Sequence, residues 1–268
     1  MAAAERTRVA LYARRVGASL ERVWENVLDW EHLPWLHAGS FRSIELHEAG
    51  AWGWRARVGV EPRGDEVALE LRVEREAGRY VTRTVAGRGA GSEIWTSLRP
   101  DGPDATVVTV AFEIADVPPD RAQRVGLSYV RLYARLWDED EAMMRRRTCE
   151  LARLSEPALA RVRVSLGTLA ELRPRLPLPV VFGGRRFRVV EDQGELLAHA
   201  TVCPHRLGPL EESAVQGGRV RCPWHGYSFD LRSGRCPEDP RLALRQAPRV
   251  EVDPNGRVFL VPAFSSPS

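Results

Sequence analysis

The sequence predicts an α+β protein: an antiparallel sheet and a long C-terminal helix, followed by a small all-β domain. Three observations carry this expectation. Apolar residues alternate strictly at Val67, Leu69, Leu71 and Val73, and again at Val108, Val110, Phe112 and Ile114, the period of half-buried strands. Pro118, Pro119 and Asp120 then open a helical stretch running roughly from Arg121 to Leu154. Beyond it the chain turns rich in Pro and Gly, with short apolar runs at Phe187–Val190, Glu195–Ala200 and Val258–Val261. The 268 residues suffice for two domains of ordinary size. Ser155–Glu156–Pro157 is the expected boundary, dividing 1–156 from 157–268.

The remaining elements follow in chain order. Arg8–Ala18 reads as a strand, and Ser19 as the N-cap of a helix over Leu20–Asp29, with Val23, Trp24, Val27 and Leu28 on one face. Pro34 disturbs any continuation of that helix. Trp52, Trp54, Ala56, Val58 and Val60 mark another strand, and Pro100–Asp104 a turn between the last two strands of the sheet.

Composition excludes several classes. The longest apolar stretches, such as Leu176–Phe182, are short and interrupted by Pro, so no membrane span is expected. The Ala-rich, then charged N-terminus offers no apolar export segment. The formal charge of +3 does not point to nucleic acid, and the 39 basic residues, all Arg, form no stripe. Residues 1–156 hold 23 Arg against 25 acids and residues 157–268 hold 16 against 11, so the halves carry −2 and +5. Four Cys are too few for a disulfide scaffold and fit a reducing, cytoplasmic setting.

The order strand, two short helices, antiparallel sheet, long helix resembles the helix-grip architecture of START-like and Bet v1-like domains. The resemblance implies that the sheet is wrapped on the long helix and leaves a cavity between them. Seven of the eight Trp precede residue 140. They fit either the lining of an apolar pocket or an ordinary core.

Residues 203–208 read CPHRLG and residues 222–226 read CPWHG, which gives Cys203-x-His205, sixteen residues, then Cys222-x-x-His225. Two thiolates and two imidazoles are the ligand set of a Rieske [2Fe–2S] cluster. The alternative is a structural zinc site, against which the mixed Cys-x-His pair argues. Pro204 and Pro223 stiffen the two loops, and Gly208 and Gly226 are expected to allow tight turns. The segment resembles the Rieske family over roughly 161–262. Gly208 and Trp224 stand where the respiratory type carries a disulfide, and Tyr227 and Phe229 where it offers hydroxyls. The resemblance therefore implies the lower-potential ferredoxin and oxygenase type. Cys149 and Cys236 read as plain buried or half-buried thiols, and His199 as structural.

A second constellation lies in residues 25–37, ENVLDWEHLPWLH: Asn26-x-x-Asp29-x-x-His32-x4-His37. Asp29 and His32 share a face if helical and would be close enough to hydrogen-bond. Two His and a carboxylate make the facial triad of non-heme Fe(II) oxygenases. Two surface His beside an amphipathic helix is the alternative. The string resembles the mononuclear-iron signature of Rieske non-heme iron oxygenase catalytic subunits, the ring-hydroxylating alpha-subunit type. The resemblance implies that His32 and His37 bind iron, that Asp29 bridges to a cluster His as a catalytic carboxylate, and that the third ligand comes from the long helix. Among Asp138, Glu139, Asp140 and Glu141, helical offsets around Asp140 give an apolar stripe of Tyr133, Leu136, Trp137, Met143 and Met144, whereas those around Asp138 give Ala134, Arg135, Glu141 and Ala142. A carboxylate on such a stripe calls for a cation. Asp140 is therefore the expected metal ligand, with Asp138 next, and the others read as a solvated acidic run.

The family resemblance implies an oxygenase with a [2Fe–2S] cluster and mononuclear Fe(II). It would take O2 and electrons from a separate reductase or ferredoxin to hydroxylate, dihydroxylate or demethylate a hydrophobic, aromatic or polycyclic small molecule. It also implies a head-to-tail homotrimer. The domain order is reversed relative to the usual family order. The rival is a non-catalytic START-like ligand-binding module fused to a Rieske electron-transfer domain.

Overall fold

A computed structural model describes residues 5–154 and 162–263. The chain divides into two compact units, Met1–Arg146 and Arg147–Ser268. The expected boundary at Ser155–Glu156–Pro157 lies outside the described residues.

The first unit opens with β1 (Arg6–Val16), α1 (Leu20–Val27), a 3-10 turn (Trp30–His32) and α2 (Leu33–Leu36). The strands β2 (Phe41–Gly50), β3 (Gly53–Val60), β4 (Asp65–Glu74), β5 (Arg79–Ala86), β6 (Glu93–Pro100) and β7 (Thr106–Ala115) follow, then α3 (Pro119–Leu154). All seven strands form one antiparallel sheet in the order β1-β7-β6-β5-β4-β3-β2. A meander of six strands is thus closed at one end by the first strand, and α3 lies against its inner face. This is the helix-grip arrangement.

The alternating residues named above supply that inner face. Trp54, Ala56, Val58, Val67, Leu71, Tyr80, Val108, Val110, Phe112 and Ile114 are buried together with Trp137 and Met144 of α3. Phe112 stacks on Tyr129 and meets Tyr133 edge-on, at centroid distances of 5.3 and 4.9 Å. Gly126 lets α3 approach β1, since a Cβ there would lie 2.2 Å from the Val9 carbonyl oxygen. Trp24, Trp54 and Trp137 belong to this core. Trp52 and Trp95 instead carry the guanidinium groups of Arg72 and Arg79 over their rings, at 5.6 and 4.8 Å. On the β3–β5 stretch, the Glu70 carboxylate is buried beneath Arg55 and Arg72, 2.5 and 2.7 Å away.

Ser19 caps α1 as expected, its Oγ accepting from Arg22 N–H at 3.3 Å. The helix ends at Val27, two residues earlier than the sequence suggested. Trp54 Nε1 donates to the Val27 carbonyl at 3.1 Å, satisfying one of its open acceptors. Pro34 sits in the first turn of α2, where its missing N–H costs nothing. Cys149 is exposed, not buried. It lies five residues past buried Met144, roughly 140° further around α3.

The second unit holds three small antiparallel sheets. β9 (Leu178–Phe182), β10 (Arg185–Asp192) and β11 (Glu195–Ala200) form one; β12 (Val215–Gln216), β13 (Arg219–Arg221) and β14 (Ser228–Asp230) form the next. β8 (Val164–Thr168), β15 (Arg249–Val252) and β16 (Arg257–Val261) form the third. Phe182, Phe187, Val189, Ala198, Ala200 and Leu260 make one buried cluster. His199 is buried, and its Nδ1 lies 2.9 Å from the Ala200 carbonyl. No helix among the described residues is long and apolar enough to cross a membrane.

Candidate metal centres

His32 ends the 3-10 turn, His37 follows α2, and Asp140 projects from the face of α3 that also carries Trp137, Met143 and Met144. The switch from a 3-10 turn to a short α-helix brings together two His that a straight helix would splay apart. Asp140 Oδ1 lies 3.1 Å from His37 Nε2 and 3.5 Å from His32 Nε2. The two rings meet edge-on with centroids 5.0 Å apart. One ligand atom from each of the three residues falls within 4.8 Å of the others, and all three residues are buried. A carboxylate and two imidazoles converging out of water could hold a divalent cation of the kind that suits a 2-His-1-carboxylate site. Backbone bonds fix the approach: Ser40 and Phe41 N–H both donate to the His37 carbonyl, at 2.8 and 3.0 Å.

The outer nitrogens face further carboxylates. Glu139 Oε2 lies 2.6 Å from His37 Nδ1. Burial works against a charged His37 ring, but the hydrogen bonds and charges of Asp140 and Glu139 outweigh it and hold its pKa above the ordinary 6.5. Asp29 is buried and its Oδ2 is 3.9 Å from His32 Nδ1, beyond direct hydrogen-bond reach. It has left the helix, with φ −88° and ψ 76°, so helical spacing does not govern the pair. Nor is Asp29 a solvated helix residue.

The acidic run on α3 is not uniformly solvated either. The Asp138 side chain is 71% exposed and pairs with Arg14 at 2.7 Å. Glu141 is mostly covered and accepts from Arg14 and from Gly17 N–H, at 2.5 and 2.8 Å. Sequence reasoning missed Glu139 and Glu141 because helical offsets within α3 do not show what packs across from it.

In the second unit, Cys203 and His205 lie on the loop after β11, and Cys222 and His225 on the loop between β13 and β14. The two loops share one backbone pattern. Cys203 N–H donates to the Gly208 carbonyl at 2.9 Å, and Leu207 N–H returns to the Cys203 carbonyl at 3.0 Å. Cys222 N–H donates to the Tyr227 carbonyl at 2.8 Å, and Gly226 N–H returns to the Cys222 carbonyl at 2.9 Å. The fifth residue of each loop is left-handed: Leu207 at φ 65° and Gly226 at φ 72°. In the first loop the tight turn is therefore made by Leu207, and Gly208 serves closeness instead. A Cβ at Gly208 would lie 2.6 Å from Cys222 Sγ.

Cys203 and Cys222 are each 1% exposed. The Cys203 hydrogen bond pulls the Cys222 thiol below its ordinary range, and the same contact, with burial, pushes Cys203 up. The His205 and His225 rings stand perpendicular, 4.6 Å between centroids, and Tyr227 edges His205 at 4.7 Å. Two buried, closely spaced sulfurs and two adjacent imidazoles on equivalent loops fit a [2Fe–2S] cluster with mixed ligation. Phe229 is fully buried and offers the cluster no donor.

Comparison with known proteins agrees for this unit. Residues 163–249 match the Rieske [2Fe-2S] domain family. The chain is 40% identical over 74 residues to mouse apoptosis-inducing factor 3, covering 28% of this chain and 12% of that protein. It is 43% identical over 68 residues to 4beta-methylsterol monooxygenase of Methylococcus capsulatus, covering 25% and 18%. It is 34% identical over 71 residues to the oxygenase component of dicamba O-demethylase from Stenotrophomonas maltophilia, covering 24% and 21%. This chain thus spans at most about a fifth of the length of these relatives. Among solved structures, a START superfamily protein from Mycobacterium smegmatis is 20% identical with a TM-score of 0.42, covering 50% of this chain and 97% of that one. The ferredoxin of carbazole 1,9a-dioxygenase from Nocardioides aromaticivorans IC177 is 27% identical with a TM-score of 0.33, covering 38% and 99%. The helix-grip reading of the first unit rests on its own strand order and long helix. The family match, the paired loops and their donor set together identify residues 163–249 as a Rieske [2Fe–2S] domain.

Proposed function

We propose that the chain is a Rieske-type non-heme iron oxygenase acting on a hydrophobic small molecule. The observation that carries this reading is the convergence of His32, His37 and Asp140 at a buried point in a chain that also holds a Rieske domain. His32, His37 and Asp140 are the proposed ligands of mononuclear iron, and Cys203, His205, Cys222 and His225 those of the cluster. When bound, the cluster supplies single electrons and the iron supplies O2 activation.

The residues themselves orient and exclude water. Trp137, Met143 and Met144 dry the helix face around Asp140, so the carboxylate is directed at the two imidazoles. The proposed substrate is a hydrophobic, aromatic or polycyclic small molecule, for hydroxylation, dihydroxylation or demethylation. Asp29 is the proposed carboxylate linking His32 to a cluster imidazole, His205 or His225, of a neighbouring chain in the assembly. The proposed electron donor is a separate reductase or ferredoxin, and the proposed assembly, checked by mass in solution, is a homotrimer.

Iron and acid-labile sulfide per chain test the reading. Three irons with two sulfides support the oxygenase. Two irons with two sulfides favour a ligand-binding module joined to an electron-transfer domain.

A further inference from the structure

Both imidazoles of the triad have a carboxylate on each side. Asp140 Oδ1 faces the two Nε2 atoms, while Glu139 faces His37 Nδ1 and Asp29 stands off His32 Nδ1. The two outer contacts differ in kind. At 2.6 Å the Glu139 contact is a charge-assisted hydrogen bond, whereas 3.9 Å is too long for one. A neutral His37 that ligates a cation must use its Nε2 lone pair, so its hydrogen must sit on Nδ1. There, 2.6 Å from Glu139 Oε2, it has an acceptor ready.

We infer that Glu139 is a positioning residue. It fixes His37 in the Nδ1–H tautomer and in the rotamer that presents Nε2, raising the affinity of the triad for divalent iron without itself touching the metal. Glu139 and Asp140 are adjacent on α3, so one turn of helix supplies both the inner and the outer carboxylate for the same ring. The side chain of Glu139 is 34% exposed while that of His37 is 2% exposed, so the contact reaches from the surface to a buried ring. A carboxylate that accepts the second ring N–H of a ligating His sets its orientation and basicity, and losing one lowers metal affinity or activity about 10–100-fold. The inference rests on the triad being a metal site.

The test is the Fe(II) dissociation constant, measured by competition with a ferrous chelator on cluster-loaded protein stripped of its mononuclear iron. Glu139→Ala should weaken Fe(II) binding by about 10–100-fold. Glu139→Gln keeps an acceptor oxygen and should recover most of that loss. Asp138→Ala removes a neighbouring exposed charge and should leave the constant unchanged. Wild-type affinity in Glu139→Ala overturns the inference. So does a Glu139→Gln variant as weak as Glu139→Ala, or an Asp138→Ala variant that weakens binding as much, because bulk charge would then be the cause. His37→Ala binding Fe(II) like the wild type would instead overturn the triad as a metal site.

Discussion

Gly208 stands against Cys222 so closely that a methyl group on its Cα would sit 2.6 Å from the sulfur. The φ of Gly208 is not among the left-handed ones, so alanine is acceptable to the backbone and only the clash remains. The Gly208→Ala variant should therefore fold yet incorporate cluster poorly, with visible absorbance and acid-labile sulfide both reduced. Gly39→Ala, where a Cβ meets nothing within 4 Å, is the matched control and should retain full cluster content.

Removing one triad side chain should separate the two metal sites. His32→Ala, His37→Ala and Asp140→Ala should each lower iron from three per chain to two while leaving the cluster spectrum intact. Asp138→Ala should change neither, since Asp138 points to Arg14 and solvent. Metal analysis with visible spectroscopy on the same samples decides this.

Asp29→Asn keeps the size of a buried side chain and removes its charge. Both metals should stay bound and an external donor should still reduce the cluster. Product formation in a single turnover of pre-reduced protein should fall about 100-fold, at the upper end of what such outer carboxylates contribute. Turnover at the wild-type rate would remove Asp29 from the path between the metals.

Glu70 gives a pH signature. Hydrogen bonds from Arg72 lead in pulling its carboxyl from the ordinary 4.5 to about 2, burial working against them and Arg55 adding to them. A carboxylate depressed in the folded state stabilises above its unfolded pKa and loses that contribution as pH falls toward the folded one. Its Arg partners are about half exposed, so solvent screening reduces the contribution to about 1 kcal/mol. In urea titrations, Glu70→Gln should be less stable than wild type by that amount near neutral pH. The gap should close between pH 4.5 and about 2.

Gly126→Ala should cost about 1–3 kcal/mol, because the added methyl meets the Val9 carbonyl and α3 must lift from β1. The same urea titrations measure it.

Much of this was legible in the sequence because the signals are local. The cluster residues are spaced by short loops whose geometry the spacing carries directly. β4 and β7 showed as strict alternation because one face of each meets the core. β2 did not, being an edge strand exposed along most of its length. The burial of Asp140 was legible because helical offsets surround it with apolar residues. Glu139 and Glu141 read as solvated because their partners, His37 and Gly17, are more than 100 residues away and only the fold brings them near. The Asp29–His32 spacing misled for the same reason: the helix stops at Val27, and the 3-10 turn sets their distance.

Successive residues on a helix point about 100° apart, so one turn of α3 looks in two directions. Glu141 reaches Arg14 and the Gly17 N–H at the end of β1, while Glu139 and Asp140 reach the histidines. Helices are stiff about their own axis over so short a span, so the two sets cannot be aimed independently. Arg14, which touches no ligand, acts as a rotational stop. The angle at which β1 holds the helix is the angle at which Asp140 meets the two imidazoles.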